Sequence, residues 1–358
     1  MKKMSVLIAA ILAFCGLLFL GSQQLSRQSG VTSAANTLSL YNWGDYIDPA
    51  LIKKFEQETG YHVQYETFDS NEAMFTKIKQ GGTAYDLTIP SDYMIEKMKK
   101  AHLLLPIDHR QLTNYHYLDQ HFLNQSFDRG NRYSVPYFWG TLGIIYNDKF
   151  VKADEMQHWS DLWQPKWRNQ LMLVDSARDI MGMALVEQGQ SMNTTNSQTL
   201  IAAQQQLNQL SGNVKAIVAD EIKTYMIQEE APLAVTWSGE ASEMLAQNSH
   251  LHYVVPSEGS NAWYDNMVIP KTAKHKKAAY AFINFMLDPH NAAQNAEYVG
   301  YATPNKQALA YLPAKVRQDR QFYPPLSTIK HLQVYQDLGA RKVEEYNDLF
   351  LKFKMYRQ

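Results

Sequence analysis

Residues 37–68, TLSLYNWGDYIDPALIKKFEQETGYHVQYETF, read as strand, helix and strand in that order. Thr37 to Trp43 is a strand-like run, after which Asp48 offers an N-cap and Pro49 takes the first helical position. Leu51, Ile52 and Phe55 form one apolar face before Gly60 ends the helix. Tyr61 to Phe68 alternates as a second strand, and Ser70 can cap a helix carrying Met74, Phe75 and Ile78. Tyr85 to Ile89 is a short apolar strand leading into Pro90-Ser91-Asp92-Tyr93. This alternation predicts βαβ units and a largely parallel sheet. Ligands of open α/β sheets bind beyond the carboxyl ends of the strands. Tyr41-Asn42-Trp43-Gly44-Asp45-Tyr46 falls there, and a Trp face, a Tyr and a carboxylate suit an organic cation better than an anion.

The chain has 358 residues, enough for two α/β lobes. Its 45% hydrophobic and 19% charged content is that of a soluble globular protein. A formal net charge of −1 gives no electrostatic case for nucleic acid. Met1-Lys2-Lys3 and the apolar run from Met4 to Gly21 read as a basic flank and a hydrophobic segment, followed by a polar tether to Asn36. The expectation is an uncleaved anchor that holds the body outside the cytoplasmic membrane, in the periplasm of a diderm cell. Cys15 is the single cysteine, so no intramolecular disulfide forms. Its lipid modification is the competing reading, and Phe14 stands where a lipobox wants a small residue.

Farther along, residues 102 to 135 are irregular, and Val135-Pro136-Tyr137-Phe138-Trp139-Gly140 feeds the run Leu142 to Tyr146, a crossing strand into a second lobe. Gln170 to Val174 and a helix from about Ala177 to Glu187 give that lobe its own alternation. His252 to Val255 and Tyr264 to Ile269 read as the return, before an amphipathic helix from Lys276 to Leu287. The expected organisation is 1–36 as anchor and tether, 37–141 with about 264–305 as one lobe, and about 142–263 with 306–358 as the other. A ligand cleft hinged by the crossing strands lies between them.

Signatures of catalysis are missing: no G-x-x-x-x-G-K-[ST], G-x-G-x-x-G, H-E-x-x-H or G-x-S-x-G occurs. His109, His116 and His121, like His250 and His252, read as ordinary surface or core histidines, and no metal or cofactor is expected.

Five short segments share one chemistry, an aromatic plate, a carboxylate or both at a strand end. They are Trp43-Gly44-Asp45-Tyr46, Pro90-Ser91-Asp92-Tyr93, Asp175-Ser176-Ala177-Arg178-Asp179, Val235-Thr236-Trp237-Ser238-Gly239 and Trp263-Tyr264-Asp265. With Pro136 to Thr141, Trp159 to Pro165 and Gly300-Tyr301-Ala302-Thr303-Pro304-Asn305, they resemble the spermidine/putrescine-binding proteins of bacterial polyamine ABC transporters. The likeness runs collinearly from about Leu38 to the C-terminus. It implies a type II periplasmic-binding-protein fold of two lobes and a monomeric receptor, not an enzyme, whose partners are spermidine or putrescine and an ABC permease.

The resemblance also implies ligand contacts. Trp43 and Tyr46 match the family's first aromatic pair, with Asp45 where a Glu is also found. Ser91 and Tyr93 match its Pro-Ser-x-Tyr contact. Asp179 matches a ligand carboxylate, and Ser176 stands where some members carry a second acid. Trp237, the pair Trp263 and Asp265, and Tyr301 match further contacts, and Gln336 aligns through the weakly similar tail. Trp139, Trp159 and Trp163 read as packing residues, and Arg178 as a partner holding Asp175 or Asp179.

The physics agrees with such a ligand. Each methylene removed from water contributes roughly 0.8 kcal/mol, and a cation over a Trp or Tyr face about 0.5 to 2 kcal/mol. Carboxylates add charge-assisted hydrogen bonds to the ammonium ends. Two alternatives stay open: a receptor for another small cationic solute, and a two-lobed extracytoplasmic enzyme, such as a glycosidase using Asp179 and Asp265 as its carboxylate pair.

Overall fold

Asp48 decides where the first helix begins. Its carboxylate accepts from the Ala50 backbone N–H at 2.8 Å, and Gly60, at φ 72°, closes the other end where a side chain would be strained. The result is α1 (Pro49–Thr59), set between strands β1 (Thr37–Trp43) and β2 (His62–Phe68), which pair in parallel. The structure, a computed structural model, describes residues 36–356 apart from 220, 320, 321 and 325. The expected anchor and tether, Asn36 excepted, lie outside the described residues. Among those described, no helix is long and apolar enough to cross a membrane.

Ser70 caps α2 (Asn71–Gln80) by accepting from Ala73 N–H at 3.2 Å, and the chain returns as β3 (Leu87–Thr88), parallel to β1. The strand expected over Tyr85 to Ile89 narrows to those two laddered residues, although Tyr85 and Ile89 are buried too. After α3 (Asp92–Lys100), single 3₁₀ turns fill residues 109–131. Next comes β4 (Ser134–Asn147), a strand with every residue buried.

The remaining elements are β5 (Leu171–Val174), α4 (Ala177–Glu187), α5 (Ser197–Leu210), β6 (Val214–Val218), α6 (Glu221–Ile227), β7 (Leu233–Trp237), α7 (Ser238–Gln247), β8 (Leu251–Val254), β9 (Ala262–Val268), α8 (Lys276–Met286), α9 (Pro289–Val299), the turns α10 (Ala314–Arg317) and α11 (Leu326–Ile329), and α12 (Ala340–Tyr356). The strands run in the order β2-β1-β3-β9-β4-β7-β5-β6, with β8 also on β4.

The sheet is mixed and not largely parallel. The outer triplets β2-β1-β3 and β6-β5-β7 are parallel, but β9, β7 and β8 all pair antiparallel with β4. The cause is the crossing itself, because β4 carries the chain out of the first half of the sheet and β9 must carry it back. Ser134 to Thr141 pairs with β9, whereas Leu142 to Tyr146 pairs with β7. One strand therefore belongs to both halves, and the two segments read separately in the sequence are continuous.

Each half has its own core. Leu38, Leu40, Phe55, Phe282 and Ile283 pack in the first, Leu142, Trp159, Leu173, Leu185 and Phe353 in the second. Burying such a side chain contributes roughly 1.5 to 3 kcal/mol. Ala308 and Leu312 belong to the first core, and α12 seals the second with Tyr346, Leu349, Phe350 and Phe353. Trp139 and Trp159 are buried, and the Trp159 and Trp163 indoles donate to the carbonyls of Gly259 and Gln206.

Candidate functional site: an acidic, aromatic cleft

The ends of β1, β7 and β9 and the first turns of α3 and α4 converge on one cavity of about 1160 Å³. All twelve residues singled out in the sequence line it: Trp43, Asp45, Tyr46, Ser91, Tyr93, Ser176, Asp179, Trp237, Trp263, Asp265, Tyr301 and Gln336.

On the side of β1, the Trp43 indole donates to the Ile89 carbonyl at 2.9 Å, which fixes the ring at the mouth of the first strand. Asp45 stands in the left-handed region at φ 48°, a turn that reverses the chain into buried Tyr46. Asn71, the first residue of α2, organises the next segment. Its amide donates to Ser91 Oγ at 3.0 Å and to the Tyr93 hydroxyl at 3.2 Å, and its carbonyl accepts from Ser91 N–H.

Trp263 and Asp265 are two residues apart on β9, so both point to one face of the strand. Asp265 Oδ2 accepts from the Tyr46 hydroxyl at 2.6 Å, while buried Oδ1 accepts no hydrogen bond among the described residues. Burial raises its carboxyl to about 6, against the pull of the Tyr46 and Ser91 hydroxyls. The Tyr301 ring meets Trp263 edge-on at 5.1 Å and Tyr46 at 5.4 Å. Its other side rests on Gly239, where a Cβ would lie 0.9 Å from the ring. Only glycine fits beneath that tyrosine.

Across the cavity, Asp179 occupies the first turn of α4, where the helix dipole favours a negative charge. Its Oδ2 accepts from Ser176 Oγ at 2.6 Å and from the Trp237 indole at 3.2 Å, and its Oδ1 from the Tyr335 hydroxyl at 2.7 Å. Burial raises this carboxyl as well, opposed by those donors and by the charge of Arg178. Gln336 is fixed through its backbone, which donates to Asn193 Oδ1 and accepts from Arg178.

Arg178 departs from expectation. Its guanidinium pairs with neither Asp175 nor Asp179 but donates to Asn193 at 3.0 Å and stacks over Tyr335 at 4.4 Å. Asp175 is taken by Lys354 from α12.

Tyr335 and Asp92 were missed. Tyr335 precedes Gln336 in a tail with little pattern, so nothing local marks it. Asp92 stood inside the Pro-Ser-Asp-Tyr segment, but its burial, accepting from Tyr93 and Tyr264 N–H, follows only from the β9 contact. The balance of charge around the cavity was also not legible. Among the described residues, ten carboxylates line it against three cations, Lys97, Arg178 and Lys223. A lining of that sign attracts cations and repels anions.

The pattern of the bacterial extracellular solute-binding proteins matches residues 50–324. The chain belongs to that family. The spermidine/putrescine-binding periplasmic proteins of Salmonella typhimurium and Escherichia coli are each 38% identical to it over 342 residues, covering 95% of this chain and 98% of theirs. The crystal structure of the spermidine/putrescine ABC transporter substrate-binding protein from Streptococcus pneumoniae is 56% identical, with a TM-score of 0.85 over 90% of this chain and 100% of that one. The expected type II two-lobed fold is the fold of these family members.

Proposed function

We propose that this solute-binding protein captures spermidine or putrescine outside the cytoplasmic membrane and delivers it to an ABC permease, without chemical change to the ligand. The observation that carries the reading is a pair of buried carboxylates, Asp179 and Asp265, neither in an ion pair among the described residues, on one aromatic-walled cavity. An uncompensated buried carboxylate is costly, so an ammonium group is the natural partner of each. Trp43, Trp237, Trp263 and Tyr301 would cover the methylenes between. The relatives, a spermidine/putrescine-binding periplasmic protein and a spermidine/putrescine ABC transporter substrate-binding protein, support the same ligand and partner.

The proposal includes a monomer held at the membrane by residues 1–36. It divides the body into 37–141 with about 264–305 as one lobe and about 142–263 with the C-terminal part as the other. Since Ala308 and Leu312 pack in the first core, the second lobe's C-terminal share is better begun after them. Titrating tryptophan fluorescence with putrescine, spermidine, γ-aminobutyrate and glucose, with product analysis alongside, tests the reading. Saturable change with the two polyamines alone and no product is expected. A response to glucose, or turnover of any ligand, overturns it.

A further inference from the structure

Three donors hold the Asp179 carboxylate, and they differ in origin. Ser176 lies next to α4 and Trp237 is a wall of the cavity, but Tyr335 arrives from the C-terminal segment, 156 residues away in sequence. Among the described residues it alone donates to Oδ1. Its ring is buried and clamped, with the Arg178 guanidinium stacked on it at 4.4 Å. Gly182 lies beside the hydroxyl, where a Cβ would stand 3.3 Å from the Tyr335 oxygen and 2.6 Å from Met192.

The segment around Tyr335 is tied at several points. Gln333 Oε1 accepts from Met192 N–H at 3.0 Å, and its carbonyl accepts from Ala262 N–H at 2.9 Å, at the start of the strand that bears Asp265. Asn193 Nδ2 donates to the Val334 carbonyl at 2.9 Å, and Asp337 N–H donates to Glu96 on α3 at 3.0 Å. The hydroxyl is therefore delivered to Asp179 by a strap anchored on both halves of the sheet.

Resting on the polyamine-receptor reading, we propose that Tyr335 is a positioning residue that acts through Asp179, fixing the carboxylate so that it accepts a ligand ammonium in one orientation. Tyr335 need not touch the ligand to do this. It removes the rotation of the carboxylate about its last bond, so less freedom is lost when an ammonium arrives. It also donates to the charged form and so opposes the effect of burial on Asp179. The other charged and titratable groups acting on the pair are Arg178 from α4, Tyr253 from β8 and Asp92 from α3. All three remain when the hydroxyl is deleted.

Tyr335→Phe keeps the ring under Arg178 and removes only the donor. Putrescine and spermidine affinities, measured by calorimetry from pH 5 to 8, should fall about tenfold at pH 7.5. The acid-side loss of binding should begin about one pH unit higher than in wild type. In an Asp179→Asn background the same substitution should change affinity less than about twofold, since the group it acts through is gone. An equal loss at every pH, or a further tenfold loss in that background, overturns the proposal. If wild type binds neither polyamine, the receptor reading fails instead. Tyr335→Met, also free of a donor, replaces the Phe variant if the latter does not fold.

Discussion

With Oδ2 taken by Tyr46 and Oδ1 without a hydrogen bond among the described residues, the Asp265 carboxylate is buried at a cost that a proton or a ligand ammonium relieves. Its folded value of about 6 stands above the roughly 3.9 of an unfolded aspartate. A group raised on folding gives its full stability below the unfolded value, and that stability is lost as pH rises through the folded one. Asp265→Asn should therefore stabilise the ligand-free protein by about 1 to 3 kcal/mol at pH 7.5 and by almost nothing at pH 4. Urea unfolding at the two pH values reads this, and equal effects at both would contradict it. Polyamine affinity in wild type should conversely fall below about pH 6, where the carboxyl takes up a proton. Ser176 carries a second prediction, since its hydroxyl lies 2.6 Å from Asp179 and Ser176→Asp sets two acids side by side. One of the two will hold its proton until an ammonium reaches both. Competition titration should show a changed spermidine-to-putrescine ratio, and equal shifts for both ligands would place residue 176 out of ligand reach.

Among the elements, α7 meets the tightest steric condition at the cleft. The Tyr301 ring rests on its second residue, Gly239, and joins two halves of the sheet that β4 already links. In Gly239→Ala the ring must move, which disturbs its contacts with Trp263 and Tyr46. We expect at least a tenfold loss of polyamine affinity with an intact circular dichroism spectrum, because ligand contacts and not a core are displaced. Unchanged affinity would show that the ring relocates freely. Much at this scale was legible in the sequence. Asp48, Ser70 and Gly60 signal their helix ends by local rules, and all three act as read. The continuity of β4 was not legible, because an all-buried strand shows no alternation to mark where it passes from one half to the other. Tyr335 escaped for a different reason, as its hydrogen bond closes across 156 residues and leaves no local pattern.

At the scale of the molecule, a net charge of −1 hides a strong asymmetry. Among the described residues, ten carboxylates against three cations surround the cavity, so negative charge is gathered there. Composition gave no electrostatic case for nucleic acid, but only the fold shows where the negative charge is gathered. The two carboxylates that carry the functional reading sit on different halves of the sheet, Asp265 on β9 and Asp179 on α4. A diamine or triamine that bridges them would hold the halves together. The central claim is therefore tested most directly by calorimetric titration of putrescine and spermidine into the wild-type chain, Asp179→Asn and Asp265→Asn at pH 7.5. The account predicts saturable one-to-one binding to wild type and at least a tenfold loss, about 1.4 kcal/mol or more, in each variant. Absence of binding to wild type, or affinity unchanged in both variants, would contradict it.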